Sequence, residues 1–141
     1  MAVPNVDVNL LAVLVSGVIA FIIGGLWYSP LLFGNAWMKG SNMNIKDMKK
    51  ASQKGMSNKY IITFLGSLLT AYILAHFVKY LTAANFMEGM QAGMWIWLGF
   101  IVPVSLGSVL WEGKSMKFFF INIGYYFVSI LLMGGILAVW Q

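Results

Sequence analysis

From residue 118 to residue 141 the chain carries no charged side chain. A helix needs about 20 mostly apolar residues to cross a bilayer. In hydrocarbon every backbone N–H and C=O must be bonded within the structure, and a single segment meets that demand only as a helix. Three further stretches have the same character, so four spans are expected, at about residues 8–29, 59–81, 89–111 and 117–140. Composition agrees: 9% of the residues are charged and 60% hydrophobic, against about 25% charged in an ordinary soluble domain. The expected fold is one all-α domain over residues 1–141, an integral membrane four-helix bundle.

Lysine placement orients the bundle, because cytoplasmic loops are rich in positive charge. Lys39, Lys46, Lys49, Lys50, Lys54 and Lys59 fall between the first two spans, and Lys114 and Lys117 between the last two. Asp7, Lys79 and Glu88 fall on the other side. Both termini are therefore expected outside, and residues 30–58 form a cytoplasmic loop. Trp27, Tyr28, Tyr60 and Trp111 then fall at the inner interface, with Tyr80, Trp95 and Trp140 near the outer one. Within the loop, Ile45 and Met48 share a helical face opposite lysines. This predicts a short amphipathic helix whose Lys46, Lys49 and Lys50 contact anionic lipid on the cytoplasmic leaflet. Basic residues set beside apolar runs indicate lipid headgroups rather than nucleic acid. The N-terminal stretch has no lysine before Lys39, so the first span is expected to be retained rather than cleaved as a signal.

Spans associate in lipid through close backbone approach and polar contacts. Ala12, Ser16, Ala20 and Gly24 recur at i+4 in the first span, as do Thr63, Ser67, Ala71 and Ala75 in the second. Gly99, Pro103 and Gly107 mark the third, and Gly124 with Gly134-Gly135 the fourth. Proline lacks an N–H, so Pro103 is expected to loosen the third helix near Gly99.

The chain has no cysteine and one histidine, His76. Thiolate chemistry is excluded, and no phosphate loop or metal-ligand spacing is present. The expectation is no enzyme, no metal and no cofactor. An amide or acid within a span is costly and calls for a partner. Asn122 lies just inside the fourth span, with Tyr125 and Tyr126 on the same face. Trp27, Tyr28 and Ser29 share its depth from the first span, and Glu112 from the end of the third. These seven residues form the candidate ligand-binding set. The competing reading makes them packing contacts, with Asn122 bonded to Tyr28 or to a carbonyl. His76, with Tyr72 and Tyr80 at i−4 and i+4, is expected to be a neutral interfacial side chain.

The run GGLWYSPLLFGNAWMK over residues 24–39 resembles the signature of a family of small four-span bacterial membrane proteins of uncharacterised function. A second block agrees: Gly99-Phe100-x-x-Pro103, Leu110-Trp111-Glu112-Gly113, Ile121-Asn122-x-Gly124-Tyr125 and Met133-Gly134-x-Ile136-Leu137-Ala138-x-Trp140. Trp111 departs from the family pattern, where phenylalanine is expected. The resemblance implies a four-helix fold in a cell membrane, with the bacterial inner membrane as the expected location, and no activity to transfer.

Two function classes remain. One is transport or small-ligand or lipid binding at the cytoplasm-facing polar cluster, which in so small a bundle calls for a homo-oligomer. The other is a non-transporting partner that binds other helices or organises lipid.

Overall fold

The structure is a computed structural model and describes residues 4–42, 46, 50 and 56–141. The described chain is helical, and four of its helical runs are long and apolar enough to cross a membrane. They are Leu10–Trp27, Ser57–Tyr80, Phe86–Leu110 and Met116–Val139. Helix α1 spans Leu10–Trp27, α2 Gly34–Gly40 and α3 Met56–Tyr80. The third span is broken: α4 (Phe86–Ile96) runs into a π turn (Trp97–Ile101), then α5 (Val102–Ser105) and α6 (Gly107–Leu110). Helix α7 covers Met116–Val139.

Local chemistry sets the helix ends. Asn9 caps α1, its side-chain oxygen accepting from the N–H groups of Leu11 and Ala12 at 3.0 and 3.2 Å. Asn85 caps α4 by accepting from the Glu88 N–H at 3.0 Å, while the Glu88 carboxylate accepts from the Ala84 N–H at 2.8 Å. Ser115 caps α7 through the Phe118 N–H. In the third span Pro103 offers no N–H, and the ladder slips one residue: the Val102 N–H bonds the carbonyl of Trp97, five positions back.

The bundle has two ends. Val6, the turn after α3 and Gln141 meet at the terminal end, where Lys79 donates to the Asp7 carbonyl and Gln141 to the Ala83 carbonyl. The loop end carries α2 and the turn before α7. There the Ser115 N–H bonds the Gly40 carbonyl at 3.0 Å, Lys114 bonds the Ser41 carbonyl at 2.7 Å, and Asn42 bonds the Gly113 carbonyl. Helix α2 is thereby strapped to the start of α7.

Helix α7 is the axis of the fold. Half of its span is buried, against 28% for the first and second spans and 6% for the third. Glycine explains the tightest contact, between α4 and α7. A Cβ at Gly89 would run into the Gly134 carbonyl, and one at Gly93 would lie 2.8 Å from the Ile130 carbonyl. Lipid supplies no hydrophobic drive between spans, so such backbone approach is what holds them. On the other side Gly17 of α1 faces Leu68 of α3, where a Cβ would lie 2.6 Å from the leucine side chain.

The expected stripe holds for α1, where Ala12, Ser16 and Ala20 are buried, and for the second half of the α3 stripe, where Ala71 and Ala75 are buried while Ser67 is half-buried and Thr63 exposed. The third span differs. Gly99 is exposed with nothing near its missing Cβ, and Gly107 meets only its own helix's Trp111 at 4.0 Å. Gly89, Ala92 and Gly93 make the contact instead. The π turn is the physical reason, since one inserted residue rotates the following helix face by about 100°. Most of the expected amphipathic helix in the loop, including Ile45, Met48 and Lys49, lies outside the described residues; Lys46 and Lys50 are helical and exposed.

Candidate functional site

Asn122 sits in the second turn of α7, about 9 Å along the helix from Met116. Its side-chain oxygen accepts two hydrogen bonds, from the Tyr28 hydroxyl at 2.7 Å and from the Trp37 indole N–H at 3.0 Å. An indole nitrogen only donates, so the atom facing it is the amide oxygen, and this orients the whole side chain. The amide NH2 then points its donors elsewhere and has no partner among the described residues.

Neighbouring residues repeat the pattern. The Trp27 indole donates to the Ile121 carbonyl at 2.9 Å, and the Trp97 indole to the Ile123 carbonyl at 2.8 Å. Three consecutive α7 residues are therefore gripped from three other segments: the end of α1, α2 and the π turn. Gly124 makes room for this, since a Cβ there would lie 3.0 Å from the Trp27 ring. Tyr28 meets Trp37 and Tyr125 edge-on, with centroids 5.7 and 5.6 Å away, and Trp37 stacks on Phe118 at 5.5 Å. The Tyr125 hydroxyl crosses to the Ala20 carbonyl at 3.1 Å, over Gly24.

The Trp-Tyr-Ser-Pro run works because α1 ends inside it. The Tyr28 N–H still bonds Gly24, and the Ser29 hydroxyl turns back to the Leu26 carbonyl at 2.7 Å. Pro30 then starts a tight turn, closed by bonds from Phe33 N–H to Trp27 and from Gly34 N–H to Ser29. A Cβ at Gly34 would lie 2.5 Å from the Tyr28 carbonyl, so only glycine fits. This turn lays α2 across the bundle and delivers Trp37 to Asn122.

Of the seven candidate residues, Trp27, Tyr28, Asn122, Tyr125 and Tyr126 gather in one place. Ser29 lies beside them, with its hydroxyl turned to its own helix. Glu112 is exposed in the turn after α6 and makes no bond to the cluster among the described residues. Two residues enter that depth and face alone did not select. Trp37 lies in the signature run, where its spacing from Gly34 is the available signal. Thr63 was assigned to a packing stripe. Both line a cleft of about 410 Å3 with Tyr28, Pro30, Gly34 and Asn122.

A second hollow of about 330 Å3 lies towards the bundle middle, walled by Thr63, Ser67, Thr70, Tyr125, Tyr126 and Ser129. Its hydroxyls are mostly committed. Thr63, Ser67 and Thr70 each donate to the carbonyl four residues back, and Ser129 does the same to Tyr125. At the far side of α3, His76 donates from Nδ1 to the Tyr72 carbonyl at 2.8 Å, between the rings of Tyr72 and Tyr80.

A model of a protein family of unknown function, DUF1761, matches residues 11–138. The chain belongs to this family. The match runs from the first turn of α1 to the last turn of α7, so it takes in the Asn122 cluster and the turn that delivers Trp37. No curated protein and no solved structure matches the chain.

Proposed function

We propose that this multi-pass membrane protein binds a small, membrane-soluble ligand in the cleft beside Asn122. One observation carries the reading. The amide oxygen is doubly occupied while the NH2 group, on the same cleft-lining side chain, has no partner among the described residues. A donor left open at the edge of hydrocarbon is costly, and a ligand with an acceptor oxygen offsets that cost. The reading is of binding or transport, without enzymatic chemistry.

Its topology follows from charge. Both termini face out, the lysine-bearing loop faces the cytoplasm, and Lys46, Lys49 and Lys50 lie against anionic lipid of the inner leaflet. The bacterial inner membrane is the proposed location. A homo-oligomer fits the third span, whose outward face is almost wholly unburied. The same face favours the second reading, a helix-binding or lipid-organising partner, and one measurement separates the two.

That measurement is native mass spectrometry from mild detergent, on wild type, Asn122→Leu, Asn122→Asp and Glu112→Gln. Asn122→Asp, taken at alkaline pH, keeps an acceptor for Tyr28 and Trp37 but replaces the donor pole with a carboxylate oxygen. The expected result is a retained small mass on wild type and Glu112→Gln that is lost from both Asn122 variants while the assembly stays intact. Retention by Asn122→Asp at the wild-type level would sink the cleft and leave the partner reading.

A further inference from the structure

The cleft beside Asn122 does not stop at Thr63. That residue is also a wall of the 330 Å3 hollow, and the hollow in turn shares Thr70 and Ile130 with a third, apolar one of about 270 Å3. The apolar hollow is lined by Leu69, Ile73, Phe77 and Ile96 besides those two. The three lie end to end along one face of α3, where Thr63, Gly66, Thr70, Ile73 and Phe77 recur at helical spacing. That face runs about 21 Å from Thr63 to Phe77. Its outer lip is open: Leu69 and Ile73 are exposed.

The chemistry changes along this crevice in one direction. At the loop end the Asn122 amide donor, without a partner among the described residues, stands beside Tyr28 and Trp37. In the middle, the hydroxyl protons of Thr63, Ser67, Thr70, Ser129 and Tyr125 go to main-chain carbonyls, and of the lining hydroxyls Tyr126 alone has no partner among the described residues. Such a wall offers a guest few free donors and tolerates hydrocarbon. Beyond Thr70 the lining is almost wholly apolar. A donor at the rim followed by a largely satisfied and then apolar channel matches an amphiphile with its acceptors at the head of a long chain. The depth agrees, since Asn122 lies just inside the end of its span, level with the aromatic residues that mark the membrane interface. In a bilayer the acceptor at that level is the acyl ester carbonyl.

We propose that the crevice seats one bilayer glycerolipid, with an ester carbonyl on the Asn122 amide and the acyl chain lying along α3 from Thr63 to Phe77. The inference rests on the Asn122 reading and names its ligand class. Gly66 supplies the test, because it lines the middle hollow and has nothing within 4 Å of its missing Cβ. Gly66→Leu therefore adds bulk to the channel from a position where the new Cβ meets no neighbour.

The probes are phosphatidylglycerol carrying a diazirine on one acyl chain, its ether-linked analogue, and dihexanoyl phosphatidylglycerol, presented to the full chain in phosphatidylcholine nanodiscs. Photolabelling by the ester probe is expected to concentrate on α3 between Leu69 and Phe77, above the level on the open face of the third span. The ether analogue is expected to label there about fivefold less, the worth of one neutral hydrogen bond. Gly66→Leu is expected to bring the α3 labelling down to the third-span level while still retaining the dihexanoyl lipid in an Asn122-dependent way. Labelling that is even over all spans, or equal in wild type and Gly66→Leu, means annular lipid only and overturns the chain path, with the Asn122 site untouched. Equal ester and ether labelling overturns the carbonyl contact. Dihexanoyl binding indifferent to Asn122→Asp would instead bring down the Asn122 reading itself.

Discussion

Asn122 is held by two donors on one oxygen, and such bonds are not independent. Each neutral hydrogen bond is worth about 0.5–1.5 kcal/mol, so Tyr28→Phe and Trp37→Phe should each lower stability by that order in bicelle unfolding. Either remaining donor still satisfies the oxygen, so losing both should cost more than the two single losses together. Simple additivity in the double-mutant cycle would mean that the oxygen has another partner. Ser16 presents the opposite case. It is wholly buried between spans, and its hydroxyl finds no partner among the described residues. Removing an unsatisfied buried group relieves a cost of about 1–3 kcal/mol, so Ser16→Ala should stabilise the bundle. A clear loss of stability in the same assay would reveal a partner, such as a bound water. At this scale the sequence was partly readable. The type and depth of Asn122 and Tyr28 made Tyr28 one of two expected partners, the other a backbone carbonyl, whereas nothing in the depth of Trp37 said that a tight glycine turn would bring it to the same oxygen.

Among the elements, the third span decides most. Its first half packs glycine against glycine on α7, and its second half stands away after the π turn. Gly89→Leu should therefore separate α4 from α7, with a loss at or above the roughly 1–3 kcal/mol typical of overpacking. Gly99→Leu should be nearly silent, because open space surrounds it. Unfolding midpoints of the two variants check this, and equal losses would contradict the assigned face. A small-residue pattern alone could not choose between Gly89 with Gly93 and Gly99 with Gly107. Both sets have helical spacing, and a span that is apolar all round carries no amphipathic signal to fix its rotation.

For the whole molecule, the proposed topology makes a direct prediction, and the absence of native cysteine makes it clean to test. A cysteine at Gln141 should react with a membrane-impermeant maleimide on intact cells. One at Lys50 should react only after permeabilisation, and the reverse pattern would invert the bundle. Lys50 and Gln141 are themselves exposed, so labelling reports sidedness rather than burial.

What the sequence by itself determined is the solvent and the count. Long uncharged runs have to be helices in lipid, and Asn9 and Ser115 are local caps whose effect needs no distant partner. Glu112 marks where that reasoning ended: depth placed it with Asn122, but the chain after α6 turns it outward. Only the tertiary structure decided which faces meet, how the slip at Pro103 turned the third span, and that α3 and α7 leave a crevice between them. Lipid solvates every apolar face equally. The choice among faces therefore fell to backbone approach at glycines and to indole and phenol donors finding acceptors on α7, and both depend on residues far apart in the chain.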